Sequence, residues 1–233
     1  MAPNGNVLLA IDTATATASI ALYDLTQETL LSECTWLARR RHTQELLLTT
    51  QQWMTQLAVQ PAQLAALAVT TGPGSFTGVR IALSVVKGIG LGLAEPPQAV
   101  GLPTLTVTAA PWLPLALSAS AHLWVYIQAG RGRYNWAIFD KTLTQPTAAD
   151  HQAGTAAEFA AALAAQPEQS IWLVGEVTPD LVEAVAPLSH VTVVDGISGM
   201  RRAGVLARLA AQQVAAGQVD DLSALQPLYL QGL

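Results

Sequence analysis

Charge is scarce in this sequence: Asp, Glu, Lys and Arg supply 12% of 233 residues, with 11 basic against 16 acidic side chains and a formal charge of −5. A chain that grips a polyanion by itself needs an excess of Lys and Arg to displace the counterions on phosphate, so direct binding of nucleic acid is disfavoured. The one basic run, Arg39-Arg40-Arg41, reads as the solvated approach to a helix. Cysteine is nearly absent too. Cys34 alone can make neither an internal disulfide nor a multi-cysteine metal site, which suits a reducing cytosol. His42, His122, His151 and His190 stand apart from one another and from acidic clusters, so no metal site is assigned. Long apolar runs are also missing. The most apolar stretch, Val79 to Leu93, is broken by Arg80 and Lys87 and falls short of the ~20 apolar residues a membrane span requires. Residues 1–6 hold no basic segment ahead of an apolar run, so the expected location is the cytoplasm, without a secretory leader or membrane contact.

What the chain does have is apolar surface. Its hydrophobic content is 51% and its mean hydropathy is +0.36, with an isoelectric point near 5.2. A large buried core accounts for such values, and so does an apolar face that meets a partner.

Short apolar runs at Val7 to Asp12, Ser19 to Tyr23 and Leu30 to Trp36 predict a three-stranded meander. His42 to Leu57 has helical spacing, with Leu46, Leu47, Thr50, Trp53, Met54 and Leu57 on one side and Gln44, Leu48, Gln51 and Thr55 on the other. Leu64 to Thr70 reads as a buried strand. It runs into the turn Gly72-Pro73-Gly74-Ser75-Phe76-Thr77-Gly78, where Ser75 can cap a helix that continues to about Leu93 and is stopped by Pro96-Pro97. A short strand follows at Ala99 to Val100.

Leu102 to Ser120, with three prolines, reads as a short helix and an irregular connector. Strands are then expected at His122 to Gln128 and Tyr134 to Asp140, joined by a turn at Gly130 to Arg133. Thr155 to Ala165, Ile171 to Val174, Pro179 to Ala186, Val191 to Val194 and Met200 to Ala216 alternate helix with strand. Both halves therefore run from meander to alternating helix and strand, the plan of a duplicated α/β protein. The expected division is a first lobe over 1–101, a connector over 102–120 and a second lobe over 121–233.

Three passages carry a resemblance: Leu9-Ala10-Ile11-Asp12-Thr13-Ala14-Thr15, Arg41-His42-Thr43-Gln44-Glu45-Leu46-Leu47 and, above all, Thr71-Gly72-Pro73-Gly74-Ser75-Phe76-Thr77-Gly78-Val79-Arg80. In order and spacing they resemble the TsaB (YeaZ) family. Weaker likeness at Gly101-Leu102-Pro103-Thr104-Leu105 and Pro227-Leu228-Tyr229-Leu230 extends it over most of the chain.

The resemblance implies a two-lobed, duplicated actin-like (ASKHA, ribonuclease H-like) α/β fold. It also implies a non-catalytic partner of TsaD, the paralogue that places a threonylcarbamoyl group on the tRNA adenosine next to the anticodon, with TsaE in the same complex and tRNA reached only indirectly. The His-x-x-x-His metal pair of TsaD-type proteins is missing here, and no Ser, His and Asp set for hydrolysis can be assembled. Many members of the family have Asp-Ala-Arg where this chain has Gln128-Ala129-Gly130, and Arg where it has Gln231.

Actin-like ATPases commonly place a carboxylate at the position of Asp12 and phosphate against nearby amides, so Asp12, Thr13, Gly72, Gly74 and Ser75 form a candidate nucleotide edge. The family reading requires no cofactor of this chain and allows an ATP or ADP shared with the partner. The other reading makes Asp12 the head of an Asx-turn and the glycines a means of lying flat against the other lobe or a partner. That reading is preferred, because the turn lacks the Gly-Lys-Ser/Thr ending of a Walker loop.

On the helix after the turn, Val79, Leu83, Val86 and Gly90 suit the lobe's own sheet. Thr77, Arg80, Ser84, Lys87, Gly88 and Leu91 lie opposite, and with Leu48 and Gln51 of the preceding helix they resemble the surface this family turns to TsaD. A homodimer would mask the same surface. The competing reading is a free-standing small ATPase or kinase that uses Asp12 and the glycine turn directly.

Overall fold

Strands β1 (Val7–Asp12), β2 (Thr17–Asp24) and β3 (Thr29–Leu37) form the expected antiparallel meander, with Ile11 opposite Ile20 and Ala21 opposite Glu33. This is a computed structural model, and it describes residues 6–39, 41–128, 130, 132–140 and 147–228. All six residues of β1 are buried, which is why the run Val-Leu-Leu-Ala-Ile shows no polar alternation. Helix α1 (His42–Gln56) follows, and β4 (Leu64–Gly72) then pairs parallel to β1. Helix α2 (Phe76–Gly92) starts at the Ser75 cap, whose hydroxyl accepts the Gly78 N–H at 3.1 Å, and β5 (Gln98–Pro103) closes the sheet. The sheet order is β3-β2-β1-β4-β5.

The second sheet repeats it. Strands β6 (His122–Gln128), β7 (Arg133–Phe139) and β8 (Gln152–Thr155) form another antiparallel meander, β9 (Ile171–Val174) runs parallel to β6, and β10 (Val191–Val193) runs parallel to β9. The order β8-β7-β6-β9-β10 matches the first sheet position for position, so the duplicated α/β plan is present in the pairing itself. The β8 strand is absent from the sequence reading because Gln-Ala-Gly-Thr is short and has no apolar alternation.

Two compact units result, and the division differs from the expected one. The described residues of the first fall in 1–102 and 202–227, and those of the second in 103–201 with residue 228. The expected connector is structured: α3 (Thr104–Ala109) and α4 (Leu113–Ser118) both pack on β6, with Pro114 placed in the first turn, where a missing N–H does no harm. Next come α5 (Ala156–Ala164) and α6 (Pro179–Val185). The core of the second unit is aromatic: Phe159 of α5 lies among Trp124, Tyr126, Tyr134 and Trp136.

The larger correction concerns α7 (Ala203–Ala215), which the sequence reading assigns to the second lobe. It buries Ala203, Leu206, Ala207 and Ala210 against the first sheet, touching β1, β2, β3 and β4. Its N-terminus is held there by partners remote in sequence. Ser19 Oγ accepts the Ala203 N–H at 2.9 Å, and Glu33 accepts the Gly204 N–H at 3.0 Å while pairing with the Arg202 guanidinium. A carboxylate at the positive end of the helix dipole favours that placement.

Candidate functional site

The β1–β2 turn and the glycine turn interlock. Asp12, 2% exposed, accepts the Ala14 N–H at 3.0 Å, which is the Asx-turn expected of it, and the Thr70 hydroxyl at 2.5 Å. Thr13, fully buried, donates its hydroxyl to the Gly78 carbonyl at 2.7 Å, and the Ser75 N–H donates to the Ala14 carbonyl at 2.7 Å. The glycines are required by this approach. A Cβ on Gly74 would lie 2.4 Å from the Ala14 carbonyl oxygen, and one on Gly78 would lie 2.0 Å from that of Thr13. Gly72 sits at φ 110°, a region that side chains disfavour. Gly74 and Gly78 thus lie flat against the neighbouring turn of their own unit. Of the amides a phosphate cradle would use, those of Ser75 and Gly78 already donate to protein oxygens.

The second candidate feature is the pair α1 and α2, which pack against each other. Helix α1 buries His42, Leu46, Thr50 and Met54, a strict four-residue stripe, and leaves Leu48 62% exposed and Gln51 exposed. Leu47 departs from expectation. It is 51% exposed, because a stripe centred on Leu46 and Thr50 turns its neighbour about 100° away. Helix α2 buries Val79, Leu83, Val86 and Gly90 and exposes Thr77, Arg80, Ser84, Gly88 and Leu91, the last at 81%. Lys87 is half-buried, with Nζ donating to the Ser223 carbonyl at 2.8 Å.

Between the helices runs an apolar groove of about 750 Å³, with Leu47, Gln51 and Met54 on one wall and Gly88, Ile89 and Gly92 on the other. Nothing lies within 4 Å of where a Cβ on Gly88 or Gly92 would stand, so the Ser84, Gly88, Gly92 side of the helix is open. Nearer the start of α2 a shallower hollow of about 430 Å³ is lined by Thr43, Phe76, Thr77, Arg80 and Ser84. The Arg80 guanidinium carbon stands 3.7 Å from the centre of the Phe76 ring, itself 61% exposed. Phe76 and Leu47 are the residues that sequence reasoning left out of this face. An aromatic four residues before an arginine, at a helix start, is the signal that would have found Phe76.

Among the described residues no three His, Cys, Asp or Glu side chains gather as a metal site would, and no helix is long and apolar enough to cross a membrane. The Gln128 N–H donates to Glu176 at 3.3 Å. Arg40, Ala129, Arg131, Tyr229, Leu230 and Gln231 lie outside the described residues.

Comparison with known proteins gives the family and the fold. The family model for TsaD, tRNA N6-adenosine threonylcarbamoyltransferase, matches residues 36–177, more than half of the chain. The protein named tRNA threonylcarbamoyladenosine biosynthesis protein TsaB from Escherichia coli K12 is 35% identical over 135 residues, 58% of this chain and 55% of that protein. The chain belongs to the TsaD family, as a TsaB (YeaZ) type member. The TsaB of Bacillus subtilis 168 is 32% identical over 93 residues, 40% of each chain. This TsaB-type chain thus spans about half, or less, of the length of the curated relatives it matches. The solved structure of YeaZ from Pseudomonas aeruginosa superposes with a TM-score of 0.70 at 22% identity, covering 96% of this chain and all of that one. A second structure, of a protein from the same organism described as similar to peptidase YeaZ, gives 0.73 at 21% identity over 97% of this chain and all of that one. The two-unit α/β fold is the one these TsaB (YeaZ) type structures have.

Proposed function

We propose that this chain is a non-catalytic subunit that pairs with TsaD and supports threonylcarbamoylation of the tRNA adenosine next to the anticodon. The observation that carries the proposal is the α1–α2 face. Four of the large apolar side chains left exposed, Leu47, Leu48, Phe76 and Leu91, stand on these two helices; Leu47 lines the open groove between them and Phe76 the hollow near the start of α2. Such a patch, rimmed by Gln51, Thr77 and Arg80, has the apolar centre and polar border of a docking site. TsaE joins the same complex in this reading, self-association of the chain would use the same face, and the negative net charge leaves contact with tRNA to the partners. The site of action is the cytoplasm.

Docking is tested with Gly88→Trp, whose Cβ enters open space and whose ring would occupy the groove, and Leu48→Glu, which places a charge on the exposed side of α1. Each is expected to fold normally and to weaken binding to purified TsaD more than tenfold, about 1.4 kcal/mol, in calorimetric titration. Unchanged affinity in both would move the interface elsewhere.

The chain requires no cofactor of its own in this reading, and an ATP or ADP at the Asp12–Ser75 edge would be shared with the partner. The engagement of the Ser75 and Gly78 amides within the protein supports it over the small ATPase or kinase. The isolated chain is expected to turn over ATP no faster than a protein-free blank and to form no threonylcarbamoyl product on tRNA. Steady hydrolysis abolished by Asp12→Ala would establish the enzyme instead.

A further inference from the structure

Behind α2, on the side away from the groove, the chain that leaves α7 is fastened across the first unit at four points. Helix α7 ends at Ala215, and Gly217, just past its C-cap Ala216, turns the chain with a φ of 70°. The Asp220 N–H then donates to the Ala99 carbonyl, making a single antiparallel bridge to the edge strand β5, and the Asp220 carboxylate accepts the Gly101 N–H at 2.8 Å. Leu222 sits where a side chain on Gly90 would be: a Cβ there would be 2.3 Å from Leu222 Cδ2. Leu225, 8% exposed, does the same at Gly101, 2.7 Å from a Cβ placed there. Between the two leucines the Ser223 carbonyl takes the Lys87 Nζ. The turn that spaces them is tied by Asp221, which accepts both the hydroxyl and the N–H of Ser223.

We propose that residues 218–227 form a releasable latch that holds the last turns of α2, and with them the Gly88–Leu91 part of the docking face. Two glycines, one in the helix and one in the edge strand, serve as sockets for Leu222 and Leu225, which act as positioning residues. The latch is releasable because what fastens it is local. Two leucine side chains and a few partly exposed polar contacts are opposed by the backbone entropy of ordering an otherwise irregular segment. Opening it frees the end of α2 while the strands beneath stay paired. The functional half of the proposal rests on the docking reading above. A face whose helix end is ordered only part of the time binds its partner more weakly in proportion to the ordered fraction.

The test uses the full chain and hydrogen exchange read by mass spectrometry. Gly90→Ala fills the helix socket while improving helix propensity, and Leu222→Ser removes the plug; Leu222→Met, similar in volume, should behave as the parent. In both disruptive variants, peptides over 86–93 and 98–103 are expected to exchange roughly tenfold faster, with β1 and β4 unchanged. Their affinity for TsaD is expected to fall roughly fivefold. Exchange that stays as in the parent, or that rises across the whole unit, overturns the latch. Faster local exchange with unchanged affinity, where Leu48→Glu still lowers it, removes the latch from docking and leaves the docking reading intact. Unchanged affinity in Leu48→Glu and Gly88→Trp as well would defeat the docking reading, and with it the functional half of this one.

Discussion

Replacing Gly78 by alanine is expected to lower the stability of the first unit by about 4 kcal/mol, although alanine is the better helix former by about 1 kcal/mol. The added methyl would stand 2.0 Å from the Thr13 carbonyl oxygen, a backbone atom that cannot rotate away. Separating the two turns far enough to admit it costs about 3 kcal/mol, the upper end for overpacking. It also loosens the Thr13 hydroxyl to Gly78 and Ser75 N–H to Ala14 hydrogen bonds, at about 1 kcal/mol apiece. Urea unfolding followed at Trp36 and Trp53 reads the loss, and Gly88→Ala is the control. It adds the same methyl in open space in the same helix, so it should be neutral or stabilise by up to about 1 kcal/mol. If both variants match the parent, the interlocked turns are not what the glycines serve.

The second large effect belongs to the other unit. Phe159→Ala is expected to cost about 4 kcal/mol, within the usual range for truncating a fully buried aromatic. The Phe159 ring is stacked 4.4 Å from that of Trp136 and lies 5.6 Å from Tyr126 and 6.2 Å from both Trp124 and Tyr134. Its removal leaves a hole bordered by four rings that interdigitate through it, so little collapse is available. Near-ultraviolet circular dichroism should lose the signal of Trp124 and Trp136 at lower urea than in the parent. A shift equivalent to less than 1 kcal/mol would mean that the cavity closes, contrary to this packing.

Local chemistry was legible in the sequence wherever the controlling partner is near in the chain. The bounds of β1 and β9, the Ser75 cap and the Asx-turn at Asp12 depend on neighbours a few residues away, and each is where pattern and turn chemistry put it. The exposed residues of α2 follow from helical spacing in the same way. What escaped depends on long-range partners. Nothing around Ala203 announces that its N–H will meet Ser19, 184 positions earlier, yet that contact places α7 in the first unit. Gly90 and Gly101 look like ordinary breaks in an apolar pattern until Leu222 and Leu225 are seen seated in them. Leu47 was misplaced because a wheel drawn on hydrophobicity alone cannot tell the centre of a buried stripe from its margin.

The return of α7 to the first sheet has a consequence for synthesis. A ribosome delivers β1 through β5 early, but the sheet face that Leu206 and Ala210 cover stays bare until the whole second unit has been translated. The second unit, almost contiguous, can complete its core while the first waits, so the order of folding is reversed relative to the order of manufacture. During that interval an apolar sheet with an unpaired edge is presented to solvent, a surface that chaperones bind and that nascent chains can share with one another.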